Sequence, residues 1–139
     1  MNEDFEQISL KSGFMKHNGG LLFKTVSKND YEFKTTIKEN HLNAAGITHG
    51  GFIAAVIDAG AGTAAHRSSD NNPCVTISLE LKFISPIQLG QELFGKTKIQ
   101  KKTKSMVFLT CELTTGNKIV ATASGIWKIL KLKGAGPGG

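Results

Sequence analysis

Arginine is nearly missing from this chain: Arg67 stands alone among 17 Lys plus Arg, set against 11 Asp plus Glu for a net charge of +6. Nucleic-acid readers rely on Arg for bidentate contacts and interleave aromatics with their basic residues. Neither pattern occurs here, so no nucleic-acid partner is expected. Lysines remain adequate point charges for phosphates, which leaves a phosphorylated small molecule open. Cysteine is scarce too. Cys74 and Cys111 form no CxxC pair, and His17, His41, His49 and His66 are scattered, so neither a disulfide framework nor a metal site is predicted. No run of about 18 apolar residues suggests a membrane span. The opening "MNEDFEQISL" lacks the charged and apolar regions of a secretion signal. A soluble protein of a reducing cytoplasm is expected.

Linkers and repeats are absent as well. The 139 residues fit one domain, taken as 1–133, with the low-complexity tail "GAGPGG" (134–139) expected to be disordered. Phe5, Ile8, Phe14 and Met15 suggest a short, loosely docked helix within residues 3–16. "LLFKTVS" and "DYEFKTTIKE" read as a hairpin, the second strand placing Tyr31, Phe33, Thr35 and Ile37 on one face. From Cys74 to Ile84 the alternation of Val75, Ile77, Leu79, Leu81 and Phe83 with polar residues predicts a strand with one face in the core. "ELFGKTKIQKKTK", "SMVFLTCELT" and "KIVATASGIWKIL" continue as antiparallel strands with short turns. The lysines of "KIQKKTK" fit a solvated hairpin or a ligand contact. One long helix is expected, from about Gly50 to Ala65 or His66, with Thr48 as a possible N-cap. Because it is apolar nearly all round, it should be buried. The expected fold class is therefore α+β, an antiparallel sheet wrapped around one helix.

Within that helix Asp58 is the one carboxylate among Gly, Ala, Phe, Ile, Val and Thr from Gly51 to Ala65. A buried Asp is costly unless paired or used. It reads either as a catalytic group or as a structural acid bonded to a nearby hydroxyl such as Thr63. Asn43, Gly46, His49, Gly50 and Gly51 precede the helix. Its free N–H groups thus open onto a side-chain-poor turn suited to an anion or a developing oxyanion, unless the glycines serve only close packing. Gly50 and Asp58 are eight residues apart, roughly 12 Å along a helix axis. One carbonyl cannot reach both in a single chain, so joint action requires two chains, as in a two-fold dimer with antiparallel helices. His49 reads as a neutral strut at the helix end or as a base. Thr76, on the polar face of its strand, is either exposed or positions a water.

The stretch "NAAGITHGGFIAAVIDAGAG", followed by "TISLELKFISPIQLGQEL", resembles the hotdog-fold acyl-CoA thioesterases of the phenylacetate-pathway (PaaI-like) class, over about Leu21 to Ile129. The shared pattern is an Asn-x-x-Gly-x-x-His-Gly-Gly turn, an Asp in mid-helix and a later strand ending in an aromatic, a Pro and a Gly. The resemblance implies a metal-free and cofactor-free hydrolysis of acyl-CoA to a carboxylic acid and free CoA. It makes Asp58 the base or nucleophile and the Gly50 N–H the group that polarises the thioester carbonyl. Asn43 would orient water or substrate near the partner's Asp58, His49 would hold Asn43 or the turn, and Thr76 would help place the water. Gly51, Lys82, Ser85 and Pro86 would lie along the substrate's path. A homodimer is implied, paired further into a tetramer. An acyl-thioester dehydratase or hydratase using His49 as base, and a non-catalytic acyl-CoA binding domain, are the alternatives.

Overall fold

The structure is a computed structural model and describes residues 4–131. Seven strands make one antiparallel sheet: β1 (Glu6–Gln7), β2 (Leu22–Thr25), β3 (Asp30–Thr36), β4 (Cys74–Phe83), β5 (Glu92–Lys102), β6 (Met106–Thr115) and β7 (Lys118–Ile129). Their order is β1-β2-β3-β5-β6-β7-β4. Between β3 and β4 the chain forms α2 (Gly50–Ser68), which packs against β3, β4, β5, β6 and β7. The long strands thus curve around one central helix, the hotdog arrangement. The expected tail at 134–139 lies outside the described residues.

Alternation builds the core as the sequence predicts for most strands. Tyr31, Phe33, Thr35 and Ile37 are all buried, and β5, β6 and β7 send every second residue inward. Phe33 is the keystone between helix and sheet. It lies opposite Gly95 in register, and a Cβ at Gly95 or Gly60 would come within 2.4 or 2.5 Å of its ring. Glycine at both positions lets α2 approach the sheet closely.

Two expectations are corrected. Residues 4–17 do not form one helix. Glu6 and Gln7 pair with Phe23 and Leu22, and only Phe14–His17 make a helical turn, α1, with Phe14 exposed. Ile8 and Met15 pack on the core, but their spacing serves a strand and a turn rather than a helical face. The β4 row expected in the core is largely outside it: Val75, Ile77 and Phe83 are 46%, 50% and 57% exposed. Among the described residues β4 is a sheet edge, paired only with β7, and its register shifts between Thr76 and Ser78. The bulge changes the phase, so Cys74 packs inward before it and Leu79 and Leu81 after it.

Candidate active site

The turn ahead of α2 is held by its own backbone and by three side chains. Asn43 Oδ1 accepts from the amides of Ala45 (2.9 Å) and Ile47 (3.3 Å), and the Asn43 amide donates to the Ile47 carbonyl. These bonds fix the amide's orientation and leave Nδ2 as the group that can meet a ligand. Gly46 turns the chain at φ +82°, where a Cβ would be strained. The helix cap is His49, not Thr48. His49 Nδ1 accepts from the Gly51 amide at 2.8 Å, while Thr48 is buried and its hydroxyl donates to the Ile87 carbonyl at 2.7 Å. With Nδ1 accepting, the neutral ring carries its proton on Nε2, which fits a strut rather than a base. His49 has no hydrogen bond to Asn43 among those of the described residues; it supports the turn instead. A Cβ on Gly51 would meet the His49 ring at 2.9 Å, so the ring needs glycine there.

Asp58 is exposed, which corrects the expectation of a buried acid. α2 buries one stripe, through Phe52, Ile53, Val56, Ile57, Gly60, Ala61, Ala64 and Ala65, and Asp58 is on the other. Its Oδ1 accepts from the Thr76 hydroxyl at 2.6 Å. The β4 bulge explains the contact: Thr76 lies ahead of it, where the strand turns the residue toward α2. The pairing with Thr63 does not form, because Thr63 donates to the Ala59 carbonyl at 2.8 Å. Asp58 and Thr76 stand in an open cleft of about 540 Å³ bordered also by Gly62, His66, Cys74 and Trp127.

The structure does not unite all the predicted residues. Asn43, His49, Gly50 and Gly51 cluster at the start of α2, whereas Asp58 and Thr76 meet two turns further on, roughly 12 Å along the axis. Lys82 lines a different groove, of about 780 Å³, with Glu80, Lys96 and Glu112. Its neighbours Leu81 and Phe83 turn toward the core and toward Gly50 respectively, so Lys82 faces the other side of the sheet. The amides of Ile84 and Ser85 both donate to the Val120 carbonyl, and Pro86 is exposed just beyond.

Sequence reasoning missed the cleft walls. Gly62 and His66 follow Asp58 at four and eight residues, a helical spacing that marks one face. His66 Nδ1 lies 2.8 Å from the Asn72 carbonyl and so carries a proton that it donates there. Trp127 enters through its register opposite Thr76, which no local pattern reveals. Burial raises the Cys74 thiol pKa, opposed by a hydrogen bond with Ser69, so the thiol beside the carboxylate is not activated.

Residues 45–122, more than half of the chain, match the family model of the thioesterase superfamily, and the chain belongs to that family. It is accordingly a thioester hydrolase. A candidate esterase of Pseudomonas aeruginosa is 28% identical over 128 residues, covering 91% of this chain and 96% of that protein. Mouse acyl-coenzyme A thioesterase 13 is 29% identical over 87 residues, covering 61% and 62%. Among solved structures, the PaaI protein of the E. coli phenylacetic acid degradation operon superposes with a TM-score of 0.72 over 80% of each chain. At 17% identity this last likeness concerns the fold.

Proposed function

We propose that the protein hydrolyses acyl-CoA thioesters to a carboxylic acid and free CoA, without a metal, at two sites shared across a two-fold dimer. One observation carries this reading: Asp58 stands on the uncovered face of α2, held by Thr76, roughly 12 Å along the axis from the helix end suited to an oxyanion. An antiparallel pairing of two α2 helices would bring Gly50 of each copy to Asp58 of the other. That helix face carries Gly51, Ala54, Ala55, Ala59, Gly62 and Thr63, none of them buried, so a second helix could approach closely. Beside it the open β4 edge displays Val75 and Ile77, a surface suited to a second copy. Acyl-CoA is favoured by the name of the mouse relative and by the excess of lysine.

In this mechanism the thioester oxygen gains negative charge against the Gly50 N–H at the positive end of α2. Asn43 Nδ2 of the same copy donates to the substrate or to the attacking water. Asp58 of the other copy removes a proton from that water as its oxygen attacks the carbonyl carbon, or attacks that carbon itself to form a mixed anhydride, which water then hydrolyses to the carboxylic acid and free Asp58. The C–S bond breaks, and the CoA sulfur leaves and takes up a proton. Thr76 donates its hydroxyl proton to the carboxylate, and its oxygen would accept from the water. The His49 strut geometry, with the Nε2 proton in place, opposes the hydratase alternative. Lys82, Ser85 and Pro86 would meet the nucleotide where it rounds the β4 edge, since Lys82 faces away from α2 in its own chain. Assembly of the dimer into a tetramer and a cytoplasmic location, where free Cys74 and Cys111 stay reduced, complete the proposal.

The test is complementation. Asn43→Ala and Asp58→Ala subunits, each inactive as homodimers, should regain part of the activity when co-expressed, because each mixed dimer keeps one intact site. Mixed dimers that form and stay inactive would show that the two groups do not share a site.

A further inference from the structure

His41 is the one histidine of the chain that is fully buried, 2% exposed, and the proposed mechanism does not use it. All of its polar atoms are engaged. Nδ1 accepts from the Lys38 amide at 2.9 Å, Nε2 lies 2.6 Å from the Asn18 carbonyl and so donates, and the His41 carbonyl accepts from the His49 amide at 2.8 Å. The ring stacks flat on Phe52, centroids 3.7 Å apart at 9°, in the first turn of α2. Each contact ends at a part of the fold that must agree for the turn to be in place: Asn18 caps α1, Lys38 opens the turn leading to Asn43, His49 caps α2, and Phe52 roots that helix in the core. The two nitrogens face an N–H and a C=O respectively, which fixes one neutral tautomer.

We propose that His41 is a positioning residue for the oxyanion half of the site, setting where Asn43 Nδ2 and the Gly50 N–H stand through its Nδ1 bond to Lys38 and its carbonyl bond to His49. This rests on the proposed roles of Gly50 and Asn43. Such groups act only if aimed at the place where charge develops, and a displacement of about 1 Å can cost on the order of 100-fold in rate. The role is therefore visible in turnover rather than in substrate affinity.

Two substitutions separate the ring's bonds. His41→Asn places Oδ1 near the position of Nδ1 and keeps the acceptor for Lys38. His41→Gln places its amide near Nε2 and keeps only the donor to Asn18. Both lose the stack on Phe52. Measured on folded dimers with an acyl-CoA, His41→Gln should lower kcat by on the order of 10-fold or more with KM changed less than about two-fold, and His41→Asn should recover much of that loss. Wild-type kcat in both variants, with only Tm reduced, would overturn the proposal, as would equal kcat in the two when both fall. If neither variant folds, Phe52→Leu removes the ring beneath His41 while keeping an apolar core residue. A lowered kcat at constant KM is then expected, and an unchanged kcat overturns the proposal. Asp58→Asn measured alongside keeps the two readings apart: if it turns over at the wild-type rate the active-site reading fails, whereas an inactive Asp58→Asn beside fully active His41 variants removes His41 alone.

Discussion

Replacing Asp58 by Asn keeps the shape of a residue that is exposed and accepts one hydrogen bond, from Thr76. Little folding energy is at stake, so the melting temperature should stay within a few degrees while turnover falls by on the order of 100-fold or more, as for loss of a positioned base. Wild-type turnover per folded chain, measured on the same preparation, would refute the proposed catalytic role. A second residue sets a pH limit. Burial raises the Cys111 thiol pKa to about 11 from an ordinary 9.0, only partly opposed by the neighbouring Thr97 hydroxyl. The unfolded chain therefore ionises this thiol at lower pH than the folded one. Its contribution is fully present below pH 9 and is lost as pH rises toward 11, by up to about 3 kcal/mol. Thermal melts from pH 8 to 11 should show a smaller decline for Cys111→Ala than for wild type; parallel declines would contradict this. At this scale the sequence singled out Asp58 as the odd carboxylate of α2, but its exposure and its partner depend on a strand that joins it from sixteen or more residues away.

The helix and its flanking strands have their own tests. A Cβ at Gly60 would sit 2.5 Å from the ring of Phe33, which is fully buried and meets Gly95 on its other side. The ring has no room to retreat. Gly60→Ala gains about 1 kcal/mol of helix propensity but should lose more to overpacking, typically about 1–3 kcal/mol plus backbone shifts. Differential scanning calorimetry should record a lower melting temperature, and an increase would mean that the helix can lift off the sheet at little cost. On β4, Ile77→Lys puts a charge on the exposed edge next to the bulge. Light scattering should find monomer in place of the proposed wild-type dimer, with the circular dichroism unchanged. A variant that remains dimeric would place the interface elsewhere. The period-two pattern announced β4 correctly as a strand. It misplaced the buried face because alternation assumes an unbroken phase and a neighbour on each side, and β4 has neither.

For the whole molecule, an excess of lysine over acidic groups with a single arginine means that the phosphates of the proposed acyl-CoA substrate would be met by flexible, surface charges. Calorimetric titration with a non-hydrolysable CoA analogue should therefore give weaker binding at physiological than at low ionic strength. An affinity indifferent to salt would mean that burial of the ligand, not its charge, holds it. The two halves of the proposed site also make activity a property of the assembly: specific activity should fall on dilution below the dimer dissociation constant, together with the dimer fraction.

The sequence by itself determined the elements and the chemistry within reach of a few residues. Alternation fixed β3, β5, β6 and β7, apolar composition and length fixed α2, and the Asn43 to Gly51 turn was legible because its bonds run between residues two to four apart. Only the tertiary structure decided which face of α2 stays open, that the β4 bulge turns Thr76 onto Asp58, that Trp127 walls the cleft, and that His41 rather than His49 carries the buried hydrogen bonds. Those facts follow from strand order and register, which are set by the total burial of the core. No local stretch of chain encodes that sum.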